Sequence, residues 1–590
     1  MAKEGGYSIA PIYQGGYSTM DPTKSYGNVF TGYRVAAGEI GMALDPRSAN
    51  ILKDATIKAS MGTKTFEVSP PQADIFESIP KGHLKEVNRL AKLTGMEATI
   101  HAPIVEASGM TKEGFTDANR QAAVRQMNNA IERANELNPD GSAPVTFHSS
   151  AILPGSMIEK GKKQPEETFA INVETGSINR LPIKEREFHG EGKATVDNEI
   201  AKINQQTWDH QRRNISYYAD MVSDTVDKSE EIIKIIDQKQ KTGQSLAQDE
   251  EQFLGSLNRV GIFADDSYRE LKELFNSTYN NVGPEEQKLL KDFNNSIKGK
   301  VDSINENPNK IENLSLKKEI IEQGLEVFKK IQPPQMFESL ENFSKEKTIQ
   351  SFADVAWTSY DKYKDKAPII SIENPPAGGA FSRGEDLKDI VKGARKKFVL
   401  KAVEKGMSKS EAEFQAEKLL GVTWDVGHIN MLRKYGYDNK DLIKETEQVK
   451  PLVKHIHLSD NFGLEHTELP MGMGNVPIKE IMKKLGKQGF EAKKIIEAGN
   501  WWQHFSQGGP QNSPFGPTLE AFGSSVYSSG GGPYWNQNLG FQQGYFGGYG
   551  MMLPQKNYET FGAGFSQLPQ ELGGQMPGAQ GSRMGGRPME

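Results

Sequence analysis

From about Gly38 to Glu497 the chain alternates short apolar, β-rich runs with stretches whose apolar residues recur at helical spacing. Eight runs read as strands: EIGMAL (39–44), KTFEV (64–68), EATIH (97–101), PVTFH (144–148), IISIE (369–373), VTWDV (422–426), VKHIHL (453–458) and KKIIE (493–497). Helical segments starting at Ser48 and Gly82 separate the first three, and a helix-patterned stretch from Thr116 to Leu137 precedes the fourth. Parallel strands joined by helical crossovers produce this alternation. Eight such units predict an α/β fold, a closed (β/α)8 barrel, whose chemistry gathers at the carboxyl ends of the strands.

A long interruption separates the fourth and fifth strands. It opens with a hairpin, FAINV and INRLP flanking the turn ETGS. Beyond it Ile215, Tyr218, Val222, Val226, Ile233 and Ile236 recur at intervals of three, four and seven, which predicts a helix with one apolar face packed on a second helix. Further helical patterns run through Tyr268–Tyr279, Glu285–Lys298 and Leu316–Ile331. The expected organisation is an N-terminal extension (1–35), the first half of a TIM barrel (36–152), a mainly α-helical insertion (153–345), the second half of the barrel (346–504) and a low-complexity tail (505–590). The insertion is either an arm without chemistry or a lid, substrate clamp or dimerisation arm. His189 and His210 lie in it outside any ligand pattern and read as surface or packing residues. The tail is rich in Gly, Gln, Ser, Pro and aromatics with only seven charged residues, so it is expected to be disordered. Self-association could run through the insertion or the tail.

Composition narrows the chemistry. There is no cysteine among 590 residues, which excludes disulfides, thiolate zinc sites and iron–sulfur clusters. Any metal must be held by imidazole and carboxylate. The first residues lack a basic segment followed by an apolar core, and no stretch approaches the roughly 18 apolar residues of a membrane span. A cytoplasmic protein with no membrane partner is the expectation. A net charge of −6 gives no general attraction to nucleic acid, although a local basic groove is compatible with it.

Five of the ten histidines, His101, His148, His428, His457 and His466, join Glu373, Asp425 and Glu497 at or just beyond strand ends. A parallel barrel aims the last residues of its strands at one mouth, so these ligands from six strands can converge. Neutral imidazole and carboxylate suit Zn²⁺ or Mn²⁺ in a site that keeps a position open for water or substrate. His455 is expected on the opposite face of its strand from His457, packed behind the site. Arg383 and Lys434 follow strand ends and are candidate phosphate contacts, and Gly472 and Gly474 could let backbone approach a phosphate. Trp424 either stacks on a substrate or packs outside the barrel; Trp501 and Trp502 either stack likewise or close the rim.

These residues resemble the xylose isomerase-like TIM barrel superfamily and, within it, the apurinic/apyrimidinic endonuclease IV family (AP endonuclease family 2). The matching segments are TIHAPI with His101, TFHSS with His148, SIENPPAGG with Glu373, WDVGH with Asp425 and His428, HIHLSD with His457 and IIEAG with Glu497. The loop HTELPMGMG departs from that family, with His466 and Glu468 reversing its order of acid and imidazole, and FHSS lacks its His-Pro-Gly. The resemblance implies a metal-dependent phosphodiester hydrolase holding two or three Zn²⁺ ions and cleaving DNA at abasic sites in repair. Glu373 would bridge two metals and act with Glu497 as a catalytic carboxylate. His101 and His148 would complete one metal site, Asp425, His457 and Glu497 a second, and His428, His466 and Glu468 a third. An isomerase or epimerase of a small sugar or keto acid in the same superfamily would need one Mn²⁺ or Mg²⁺ at Glu373, Asp425, His457 and Glu497. A third possibility is a structural or scaffolding protein on a retained barrel.

Overall fold

The computed structural model describes residues 39–498, apart from 46–49, 61–62, 71, 142, 185–194 and 307–311, together with 514, 518, 521 and 522. Eight parallel strands form a closed barrel: β1 (Ile40–Ala43), β2 (Thr65–Val68), β3 (Glu97–His101), β4 (Pro144–His148), β5 (Ile369–Glu373), β6 (Leu420–Asp425), β7 (Val453–Leu458) and β8 (Lys493–Ile496). Each strand pairs with the next in sequence, and β8 pairs with β1 to close the cylinder. Register sets the mouth: Glu373 lies opposite His148, and Asp425 opposite His457.

Alternation along each strand decides what fills the barrel. Phe66, Ile100, Phe147, Ile372, Trp424 and Ile456 take one parity, and all are buried; Phe147, for example, meets Phe352 of the helix Leu340–Tyr363 edge to face, with 6.2 Å between ring centroids. The inward parity is polar. Barrel interiors are commonly packed with branched aliphatics, whereas here Glu67, Thr99, Thr146, Ser371, Thr423 and His455 are all buried. Buried polar groups demand partners. The Thr146 and Thr423 hydroxyls are 2.9 Å apart, Thr423 donates to Ser371 at 2.7 Å, and Thr99 donates to Glu67 at 2.8 Å.

Crossover helices start where their caps predict. The Thr116 hydroxyl accepts from Asn119 N–H at the head of Asp117–Leu137, and the side chain of Asp438 accepts from the N–H groups of Lys440 and Asp441 at the head of Asn439–Val449. The expected run VTWDV ends one residue early. Asp425 caps a one-turn helix, Val426–Asn430, instead of extending the strand.

The chain divides into two compact units, Met1–Pro165 with Glu341–Glu590, and Glu166–Leu340. Residues 153–165, expected in the insertion, belong to the barrel unit because their backbone bonds to its loops: Gly155 N–H donates to Gly378 and Lys160 N–H to Tyr435, at 3.1 and 2.9 Å. In the second unit the expected hairpin is present as Glu167–Asn172 and Ile178–Pro182, joined by Phe337–Ser339 in a three-stranded antiparallel sheet. Its helices are Val196–Thr242, Gln248–Asn280, Pro284–Glu306 and Glu312–Phe328. Ile215, Val222, Val226 and Ile236 are buried on the first of these, as their spacing predicts, and Tyr218 stacks on Phe263. His210 is exposed, and His189 lies outside the described residues, as do Trp501, Trp502 and nearly all of the predicted extension and tail. Among the described residues no helix is long and apolar enough to cross a membrane.

Candidate metal centre

The strand ends gather five of the expected ligands around a sixth, the carboxylate of Glu373. Glu373 is fully buried at the end of β5, and its two oxygens face different partners. Oε2 lies 3.0 Å from His101 Nε2 and 3.3 Å from His148 Nε2, whereas Oε1 lies 2.6 Å from His457 Nδ1. His457 Nδ1 is also 3.0 Å from Glu497 Oε2. Ligand atoms of Glu373, Asp425, His457 and Glu497 all fall within 4.8 Å of one another, as do those of His101, Glu373 and His457.

Local structure explains why these groups are where they are. Asn374, the residue after Glu373, clasps the backbone of Asp425 in both directions, accepting its N–H at 2.9 Å and donating to its carbonyl at 3.0 Å. The Asp425 carboxylate takes the His428 N–H at 2.6 Å and the Ser459 hydroxyl at 3.2 Å. The Asp-x-x-His spacing is therefore one turn of helix capped by its own aspartate. It sets His428 with Nδ1 2.7 Å from the Asn374 carbonyl and Nε2 2.8 Å from His466 Nε2. Glu468 Oε1 lies 3.6 Å from that same His466 nitrogen, so these three form a second grouping next to the first; the His148 and His428 rings are 6.0 Å apart.

The electrostatics are those of a centre shaped for cations. Burial opposes charge on Glu373, but His457 and His148, with hydrogen bonds from His101 and His457, hold its pKa well below the usual carboxylate range. Burial together with Glu497 and Glu373 pushes Asp425 well above its usual value. Burial also opposes charge on His101, yet the hydrogen bond and charge of Glu373 raise it to about 9. His457 is raised against the same penalty by Glu373, Glu497 and Glu67. Burial, then His466, lowers His428 to about 3, and burial lowers His148. Protons on His101 and His457 thus stand where cations would neutralise the carboxylates. Glu497 Oε2 is buried among these ligands and makes no hydrogen bond. A buried imidazole and carboxylate set with such an orphaned donor fits divalent Zn²⁺ or Mn²⁺.

Three expectations are corrected. Arg383 does not reach the centre: its Nε donates to Glu445 Oε1 at 3.0 Å and its guanidinium stacks on Tyr437, which anchors the start of the helix Gly384–Glu404. Trp424 is fully buried on the outward parity of β6, its indole N–H on Thr446 Oγ1. His455 shares the inward face with His457, because residues two apart in a strand point the same way; His455 Nε2 lies 3.0 Å from Glu67 Oε2 and His457 Nε2 3.1 Å from Glu67 Oε1. Lys434 is exposed, its ammonium 5.2 Å from the Tyr435 ring centre. The Gly472 N–H is taken by Asp460 at 2.8 Å. Sequence reasoning missed Glu67, Asn374 and Ser459. For Glu67 the available signal was a lone carboxylate inside the strand run KTFEV, at the parity that faces inward.

A family profile described as xylose isomerase-like TIM barrel matches residues 412–510. An uncharacterized protein of Methanocaldococcus jannaschii is 29% identical over 83 residues, 14% of this chain and 27% of that protein, so the chain spans about a quarter of the curated relative it matches. The crystal structure of a D-tagatose 3-epimerase-like protein is similar with a TM-score of 0.34 and 14% identity, covering 79% of this chain and 93% of that one. The profile spans β6, β7 and β8 with Asp425, His428, His457, His466 and Glu497, so this stretch is similar to the xylose isomerase-like TIM barrels, and the closed eight-stranded parallel barrel is the fold that description names.

Proposed function

We propose that this chain is a multinuclear metal-dependent phosphodiester hydrolase, with DNA containing abasic sites as the substrate class and two or three Zn²⁺ ions as cofactors. The observation that carries the reading is the division of Glu373. One oxygen faces His101 and His148, the other faces His457 on the side of Asp425 and Glu497. A carboxylate so placed suits a bridge between two ions. Bound ions would supply Lewis-acid stabilisation of charge on a phosphoryl group and activate water for attack.

The protein's own part is to hold the donors in place and keep Glu373 and Glu497 charged. His428, His466 and Glu468 form the candidate third set. Exposed Ile104, Ile152, Phe462 and Leu464 follow β3, β4 and β7, on the side where loops of such barrels meet substrate. They offer apolar surface to an unpaired sugar or base, and Lys434 offers a cation to a phosphate.

A one-metal sugar isomerase or epimerase is the second reading, favoured by the convergence of Glu373, Asp425, His457 and Glu497 without further help. That chemistry leaves His101 and His148 without a task. The deciding experiment loads the protein with zinc, counts the ions and incubates it with a duplex carrying one abasic site. Two or three ions per chain and strand cleavage that disappears in Glu373→Gln are expected. One ion and no cleavage would transfer the assignment to the isomerase.

A further inference from the structure

We propose that Glu67 is a positioning residue that fixes His457 in the tautomer whose Nδ1 lone pair faces the metal centre. The inference rests on the metal-centre reading above, and no sequence motif of the site includes Glu67. Glu67 sits on β2 with 1% of its surface exposed. An isolated carboxylate there would be costly, and it is instead surrounded by donors. Oε2 receives the Thr99 hydroxyl at 2.8 Å and His455 Nε2 at 3.0 Å, and Oε1 lies 3.1 Å from His457 Nε2.

An ionised carboxylate only accepts hydrogen bonds, so the hydrogen of each imidazole belongs on Nε2. A neutral imidazole with Nε2–H has its lone pair on Nδ1. For His457 that atom faces Glu373 and Glu497, at 2.6 and 3.0 Å. Two other histidines of the centre are held the opposite way round. His101 Nδ1 is 2.8 Å from the Ala102 carbonyl and His428 Nδ1 is 2.7 Å from that of Asn374, which leaves Nε2 of each toward the ligands. His457 alone among these three is held through Nε2, and by a carboxylate instead of a peptide carbonyl. A carboxylate behind a ligating imidazole fixes its orientation and raises its basicity.

Glu67→Gln tests this with little change in volume. The single amide oxygen can serve Thr99 and His455, which turns the NH₂ group on His457 Nε2. The hydrogen of His457 must then move to Nδ1, the atom that would ligate. Zinc affinity, measured by competition with a chromophoric chelator, should fall by about 10- to 100-fold, with Glu67→Asp binding more tightly than Glu67→Gln. In the zinc-loaded wild type, ¹⁵N NMR of the imidazoles should show His457 coordinated through Nδ1 and protonated on Nε2. Coordination through Nε2 overturns the proposal even if neither variant folds. A folded Glu67→Gln protein with unchanged zinc affinity overturns it too. Those failures leave the metal centre standing, whereas a wild-type chain that takes up no zinc removes the metal-centre reading and this inference with it.

Discussion

At the scale of single residues the centre is a competition between protons and cations. His101 is raised to about 9 chiefly by the ionised Glu373 beside it, with Glu497 adding to the effect, and metal binding requires that proton to leave. Zinc affinity should therefore climb as pH rises from 6 toward 9, with protons released on binding, as titration calorimetry in buffers of different ionisation enthalpy would record. The sign for stability is opposite. A raised histidine contributes fully below its unfolded value near 6.5 and loses that contribution as pH passes its folded value of about 9. Metal-free protein should lose thermal stability across that window, and zinc-loaded protein should not. A metal-free melting temperature that is flat between pH 6.5 and 9 would refute the His101–Glu373 pairing. Much of this was legible in the sequence, because a ligand at a strand end is named by its position alone. Glu67 was not, since its task depends on a histidine nearly 400 positions away. His455 was placed on the wrong face although a period of two puts it beside His457.

Elements were more legible than their neighbours' side chains. All eight strands fell where β-rich runs predicted, since each is short, bounded by helical spacing and buried on both faces. What a local pattern could not supply was the partner of a cation. Arg383 follows a strand end, as a phosphate-binding arginine would, yet Glu445 from the helix Asn439–Val449 claims it. The same carboxylate accepts Gly384 N–H at 2.8 Å, so one buried glutamate ties together the starts of a helix and a neighbouring helix face. Arg383→Ala should cost about 1–3 kcal/mol of stability in urea unfolding, because it leaves Glu445 buried without its charge partner. Zinc content should be unchanged. Loss of zinc in a folded Arg383→Ala protein would return the arginine to the centre.

At the scale of the whole chain, the helical unit was visible from sequence but its edges were not. Residues 153–165 were expected in the insertion, and hydrogen bonds to loops after β5 and β6 place them with the barrel. Within the unit Glu166–Leu340, the entering strand Glu167–Asn172 pairs antiparallel with the departing strand Phe337–Ser339, with Ala170 opposite Ser339. The chain therefore enters and leaves this unit on neighbouring strands. Trp208, Leu271, Phe293, Ile320 and Phe328 give it a core of its own. Two consequences follow from separate cores and adjacent ends. Joining Pro165 to Glu341 through a short Gly/Ser linker should leave a folded barrel with wild-type zinc content, read by circular dichroism and elemental analysis. Residues 166–340 expressed alone should be helical and unfold cooperatively. If the linked barrel folds and holds zinc but no longer cleaves an abasic duplex that the full chain cleaves, the helical unit takes part in holding substrate; retained cleavage would make it an appendage to the chemistry.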